Sequence, residues 1–142
     1  MDDRRLLGGW TADCAERVLA LFEAKAPSDA RPREAIEGIR VFAHGGKRTV
    51  QVRSVALTAL AAAREIGDPA AAAAARATGL AAATAYTKAL ANPDHAKHAL
   101  GPAVYAALAR DLATTDDSNA GDEEIRWAID QASRAMREIV SQ

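Results

Sequence analysis

Carboxylates and arginines of this chain crowd around one joint. Asp13 and Arg17 stand four residues apart, and Asp29, Arg31, Arg33, Glu34 and Glu37 follow in the stretch from Pro27 to Glu37. A guanidinium carries its donors in a planar fork that matches a carboxylate or phosphate. One reading of this constellation, with Arg53 and Arg64 added, is a partly buried ion network that sets helix register. The other is an electropositive notch for an acidic residue of a partner or for a small anion. Trp127 poses a similar choice, because an indole off the main apolar stripe of its helix either packs on another helix or marks a partner surface. Asp13, Arg17, Asp29, Arg31, Arg33 and Trp127 are therefore the candidate partner- or anion-binding residues.

Other chemistry fails on spacing. His95 and His98 lie one helical turn apart beside Asp94, but two imidazoles and one turn aspartate do not complete a metal shell. The acidic run Asp116 to Gly121 lacks the ligand spacing and closing glutamate of a calcium loop. Cys14 sits among Leu, Trp and Val positions with no histidine in its segment, which is the setting of a small buried hydrophobe and not of a nucleophile. There is no G-x-S-x-G elbow, phosphate-binding glycine loop or H-E-x-x-H pair. No catalytic residue, metal or cofactor is expected.

The elements that must position these residues are helices throughout. Leu6, Leu7, Trp10, Cys14, Val18, Leu21 and Phe22 recur at helical spacing and predict a first helix from about Arg4 to Ala26. Arg17 falls on that same face, so it needs a partner, and Asp13 is the local candidate. Pro27 ends the helix, Pro32 suits the start of a second over about Arg31 to His44, and Ser28 or Asp29 could cap it. Its buried face is Ala35, Ile36, Ile39, Phe42 and Ala43, and Gly45-Gly46 closes it.

A third helix, about Lys47 to Ile66, has two apolar faces, one with Val52, Val55, Ala59, Ala62 and Ile66 and one with Val50, Leu57, Leu60 and Ala61. Two apolar faces predict a central position, with Arg53 and Arg64 partly buried. A fourth, from about Pro69 to Leu90, is nearly all alanine, which forms helix without side-chain entropy loss. Gly101-Pro102 should interrupt or kink the fifth helix, whose buried face is expected to be Val104, Tyr105, Leu108 and Leu112. Thr114 to Gly121 reads as a linker without regular structure. A last helix, about Asp122 to Val140, should bury Ile125, Ala128, Ile129, Ala132, Met136 and Ile139. The sum is an all-α, single-domain bundle of about six mostly antiparallel helices with an alanine-rich core.

Composition agrees with one such domain. The chain has 142 residues, and 49% of them are hydrophobic but only 4% aromatic, so close helix contacts must supply the packing density. A formal net charge of -1 lacks the basic excess that nucleic-acid binding needs. No run is long and apolar enough to span a bilayer, the N-terminus has no apolar signal core, and the sole cysteine fits a reducing compartment. A cytoplasmic location is expected.

Two segments carry a family likeness, Trp10-Thr11-Ala12-Asp13-Cys14-Ala15-Glu16-Arg17-Val18-Leu19 and Asp29-Ala30-Arg31-Pro32-Arg33-Glu34-Ala35-Ile36. It extends through the alanine-rich Ala74 to Ala85 to the helix of Arg126-Trp127. On these residues the chain resembles the Imm-5-like immunity proteins of bacterial polymorphic toxin systems. In that family histidine often stands where this chain has Leu80 and Tyr86. The resemblance implies an all-α protein that neutralises a cognate toxin by binding it, without catalysis. The residues themselves leave a helical small-molecule or anion-binding protein or enzyme, and a homo-oligomerisation domain, as alternatives.

Overall fold

Prolines and glycines draw the first boundaries. In the computed structural model, α1 runs over Asp3–Lys25 and ends before Pro27, and α2 runs over Arg31–Ala43 with Pro32 buried in its first turn. Asp29 serves the start of α2 by accepting a hydrogen bond from the Arg31 backbone N–H at 3.1 Å, although the cap position itself is Ala30. The exit uses Gly45 at φ +108°, where a side chain would be strained, while the Gly46 N–H bonds the Val41 carbonyl at 2.9 Å. The structure describes residues 3–47, 50–86, 93–114 and 119–141, and the side chains of all of these except 3, 93–98 and 135–141.

Four further helices follow: α3 over Val50–Glu65, α4 over Pro69–Ala83, α5 over Pro93–Ala113 and α6 over Ala120–Ser141. All regular elements among the described residues are helical, which is the all-α bundle expected. Asp68 caps α4 by accepting from the Ala71 N–H at 2.9 Å. The α-helix stops at Ala83, short of the expected Leu90, and a 3₁₀ turn follows over Thr84–Tyr86. There the Thr84 hydroxyl bonds the Ala81 carbonyl at 2.6 Å and lies 3.4 Å from the Thr11 hydroxyl of α1, which ties the tightened turn to its neighbour.

The centre of the bundle is α4, not α3. Alanines 70, 71, 73, 74, 75, 77, 81 and 82, with Thr78 and Gly79, are buried almost all the way round α4. Against them pack α1, α2, α3 and α5. Helix axes approach most closely where side chains are smallest, so the alanine helix admits the most neighbours. At Gly79 even a methyl group would come within 2.7 Å of Leu60. The expected second buried face of α3 is only partly covered, with Leu60 and Ala61 half-buried. Val50 and Leu57 are exposed, as are Arg53 and Arg64, and only the face of Val52, Ala56, Ala59, Ala62 and Ala63 is buried.

The same principle rotates α5 away from its expected orientation. Its interior side is Ala99, Pro102, Ala103, Ala106, Ala107 and Ala109, whereas Val104, Leu108 and Leu112 point outward and Tyr105 is half-buried. The helix runs on through Pro102 without a break. A proline in a helix interior costs about 3 kcal/mol, and full burial of the Pro102 ring works against that loss. Helix α6 begins two residues earlier than expected, where Asp111 of α5 accepts the Gly121 N–H at 2.7 Å. Its buried side is Ala120, Gly121, Glu124 and Ala128; Ile125 and Ala132 are half-buried and Ile129 is exposed. Met136 and Ile139 lie outside the described side chains.

Candidate functional site

The six candidate residues do not converge on one notch; they are distributed over three ion-paired seams. Arg17 leaves α1 toward α6, not toward Asp13. Its Nε and Nη2 donate to the Glu124 carboxylate at 3.0 and 2.8 Å. Arg110 of α5 donates to the same carboxylate at 3.0 Å, so one buried acid joins three helices. The Arg17 guanidinium also lies 4.1 Å from the centroid of the Trp127 ring, a cation–π stack that places this indole against α1. Trp127 packs with Cys14, Ala103, Ala128 and Trp10, and the Trp10 Nε1–H donates to the Ala128 carbonyl at 2.8 Å.

The second seam joins α1 to α2. Arg40 donates to Asp13 at 2.9 Å and to Glu16 at 3.0 Å, and two turns earlier on α2 Arg33 forms two bonds to Glu23 at 2.7 and 2.6 Å. The Asp13 expected to serve Arg17 therefore serves Arg40. Residues four apart on a helix sit close enough to pair, but a carboxylate on a facing helix let each guanidinium meet a better-aligned acid. The third seam ties the start of α2 to the end of α3, where Arg31 donates to Asp29 at 2.9 and 2.7 Å and to Glu65 at 2.6 Å.

These contacts hold the charges in place. The bonds from Arg33 keep Glu23 below the usual carboxylate range, and the bonds from Arg31 do the same for Asp29 and Glu65. Hydrogen bonding to their acids raises Arg17, Arg31 and Arg33 further above an already high value. Burial pushes the Cys14 thiol up to about 12, with Asp13 and Glu124 adding to the effect, so it stays protonated and behaves as the small hydrophobe expected.

Among the described residues no group of three or more His, Cys, Asp and Glu side chains could hold a metal ion, and no helix is long and apolar enough to cross a membrane. His95, His98 and Asp94 lie outside the described side chains, and Asp116 to Ser118 outside the described residues.

The residues that the spacing did not disclose are Glu124, Arg110 and Arg40, and the apolar face of α5 expected to be buried is instead an exposed ridge. The signal for Glu124 was present in its neighbours. Ala120, Gly121, Glu124 and Ala128 recur at three- and four-residue steps, and an acid inside a row of small residues is an acid brought close to another helix. The ridge consists of Leu100, Val104, Leu108 and Leu112, four residues apart and each 43% to 53% exposed. Among the described side chains on that side of α5 only Asp111 is charged, and its carboxylate is engaged by the Gly121 N–H.

A family model described as "Imm-5 like putative immunity protein" matches residues 1–135, nearly the whole length. Neither a curated protein nor a solved structure matches the chain.

Proposed function

Because the chain belongs to the Imm-5-like immunity protein family, we propose that it binds a cognate protein toxin and neutralises it by occlusion, without catalysis. The observation that carries this reading is the α5 ridge. Exposed apolar side chains in an unbroken stripe are the kind of surface that a protein partner covers, since burying them supplies affinity that exposed ion pairs do not. The alanine interior beneath them leaves little room for the ridge to fold inward. Asp13, Asp29, Arg31 and Arg33 act here as clamps between helices and as polar surroundings, and the Arg17–Trp127 stack fixes the roll of α6 beside the ridge. Toxin binding in the bacterial cytoplasm would accord with a domain whose single thiol is buried.

The test is growth rescue combined with complex formation. Co-expression with a cognate toxin is expected to restore growth and to yield a stoichiometric complex. Leu108→Glu, an exposed position, should abolish both while leaving the helical signal and melting temperature close to those of the parent. Undiminished rescue by that variant would remove the ridge from the interface. Failure of the parent chain to rescue growth or to co-purify would remove the immunity reading itself. Concentration-dependent dimerisation lost in Leu108→Glu would assign the ridge to self-association instead.

A further inference from the structure

The edge of α3 where the buried face gives way to exposed Leu57 forms the floor of a cleft. Arg53, Ala56, Leu57 and Leu60 follow one another at helical spacing, and together with Arg4 of α1 and Tyr86 of the 3₁₀ turn they line a cavity of about 520 Å³. That volume falls within the range of small-molecule sites. We propose that this cleft binds a small organic anion, a carboxylate carried on an aliphatic or aromatic body, with Arg53 receiving the carboxylate and Leu57 and Leu60 the apolar part.

Three observations support the assignment. First, the charge of the lining is of one sign. Among the described residues two arginines and a tyrosine line the cleft and no carboxylate does, in a chain whose formal net charge is -1. The groove between α2 and α3 differs, because Glu34 and Glu37 share it with Lys47.

Second, Arg53 makes no hydrogen bond or ion pair with any described residue. By contrast Arg17, Arg31, Arg33, Arg40 and Arg110 are all bound to acids within this small fold. An arginine left over where carboxylates are plentiful is a donor fork available to an outside acceptor.

Third, the apolar side is exposed and held in place. Leu57 is 59% exposed, and Leu60 seats against Gly79 of α4, where an added methyl would meet it at 2.7 Å. The floor is therefore supported by the most tightly packed helix in the molecule. A ligand with only a charge would leave Leu57 in water, and one with only a hydrocarbon would leave Arg53 without an acceptor. The combination satisfies both.

The experiment is a calorimetric titration of the purified chain with octanoate, with octan-1-ol and inorganic phosphate as separate controls, and with amide chemical shifts to locate binding. Octanoate is expected to saturate one site, at least about tenfold more tightly than either control. Shifts should centre on Arg53 to Leu60 and Tyr86. Arg53→Gln should weaken octanoate about tenfold without changing the melting temperature, since the replaced side chain is bonded to no described residue. Leu57→Ser should also weaken it.

Absence of saturation, equal affinity in Arg53→Gln, or shifts confined elsewhere would overturn the assignment. Octan-1-ol binding as tightly as octanoate would reduce the cleft to an apolar surface, and phosphate binding as tightly would reduce it to a cation patch. The outcome is independent of toxin rescue, which is read at α5.

Discussion

The two sides of α1 solve the same problem with different chemistry. Toward α6, a single acid 3% exposed is shared by Arg17 and Arg110, with an indole stacked on one of the guanidinium groups. Toward α2, three exposed or half-exposed acids, Asp13, Glu16 and Glu23, meet Arg40 and Arg33 in water. Both seams look alike as a list of salt bridges. Desolvation separates them, because a carboxylate removed from water depends on its partners, whereas an exposed one can return to solvent.

The largest expected effect tests the first side. Glu124→Ala should destabilise the fold by about 3–5 kcal/mol, since it leaves two guanidinium groups facing each other beside a cavity. Thermal denaturation would read this as a loss of well over about 10 °C in melting temperature. Arg17→Ala and Arg110→Ala, combined in a double-mutant cycle, should be non-additive by about 0.5–3 kcal/mol because they share an acceptor. Simple additivity would show that the carboxylate does not couple them.

A smaller effect follows on raising the pH. The Cys14 thiol is raised from 9.0 to about 12, so the folded state retains a proton that the unfolded state has lost. Its stability contribution is complete below pH 9.0 and declines as pH rises toward 12. Denaturation midpoints across that window should fall more steeply for the parent than for Cys14→Ala.

The exposed side should respond least. Arg33→Ala should barely lower the melting temperature, and the difference should shrink in high salt. Glu23, Asp29 and Glu65 are depressed in the folded state, so their contribution is present above their unfolded values and is lost as pH falls through the folded ones. Acid titration of Arg33→Ala and Arg31→Ala should therefore show a flatter decline below about pH 4.5 than the parent. A large loss in Arg33→Ala at neutral pH would erase the distinction between the two seams.

Much of α1 and α2 was legible because proline and glycine punctuate them and large apolar residues mark their buried sides. Ala35, Ile36, Ile39 and Phe42 are buried as expected. Beyond Gly67 the pattern of large residues misleads. Hydrophobicity alone sends Val104, Leu108 and Ile129 inward, because leucine, valine and isoleucine rank above alanine, yet all three are exposed and small side chains fill the interior. Arg17 was rightly singled out as needing a partner, but the partner is 107 residues away on α6. Helical spacing reports neighbours on one helix and carries no information about which helix will lie alongside. The cleft at Arg53 was visible only as an apparent second face, since a stripe built for burial and one built for a ligand have the same periodicity.

A centre built of methyl groups also sets the thermal character of the molecule. Burying alanine removes far less hydrocarbon from water than burying leucine, so unfolding α4 exposes little new apolar area for its length. The heat-capacity increment and denaturant slope should both fall below those of equally long chains with leucine-rich interiors. Stability would then change slowly between cold and warm conditions, a shallow dome rather than a sharp one.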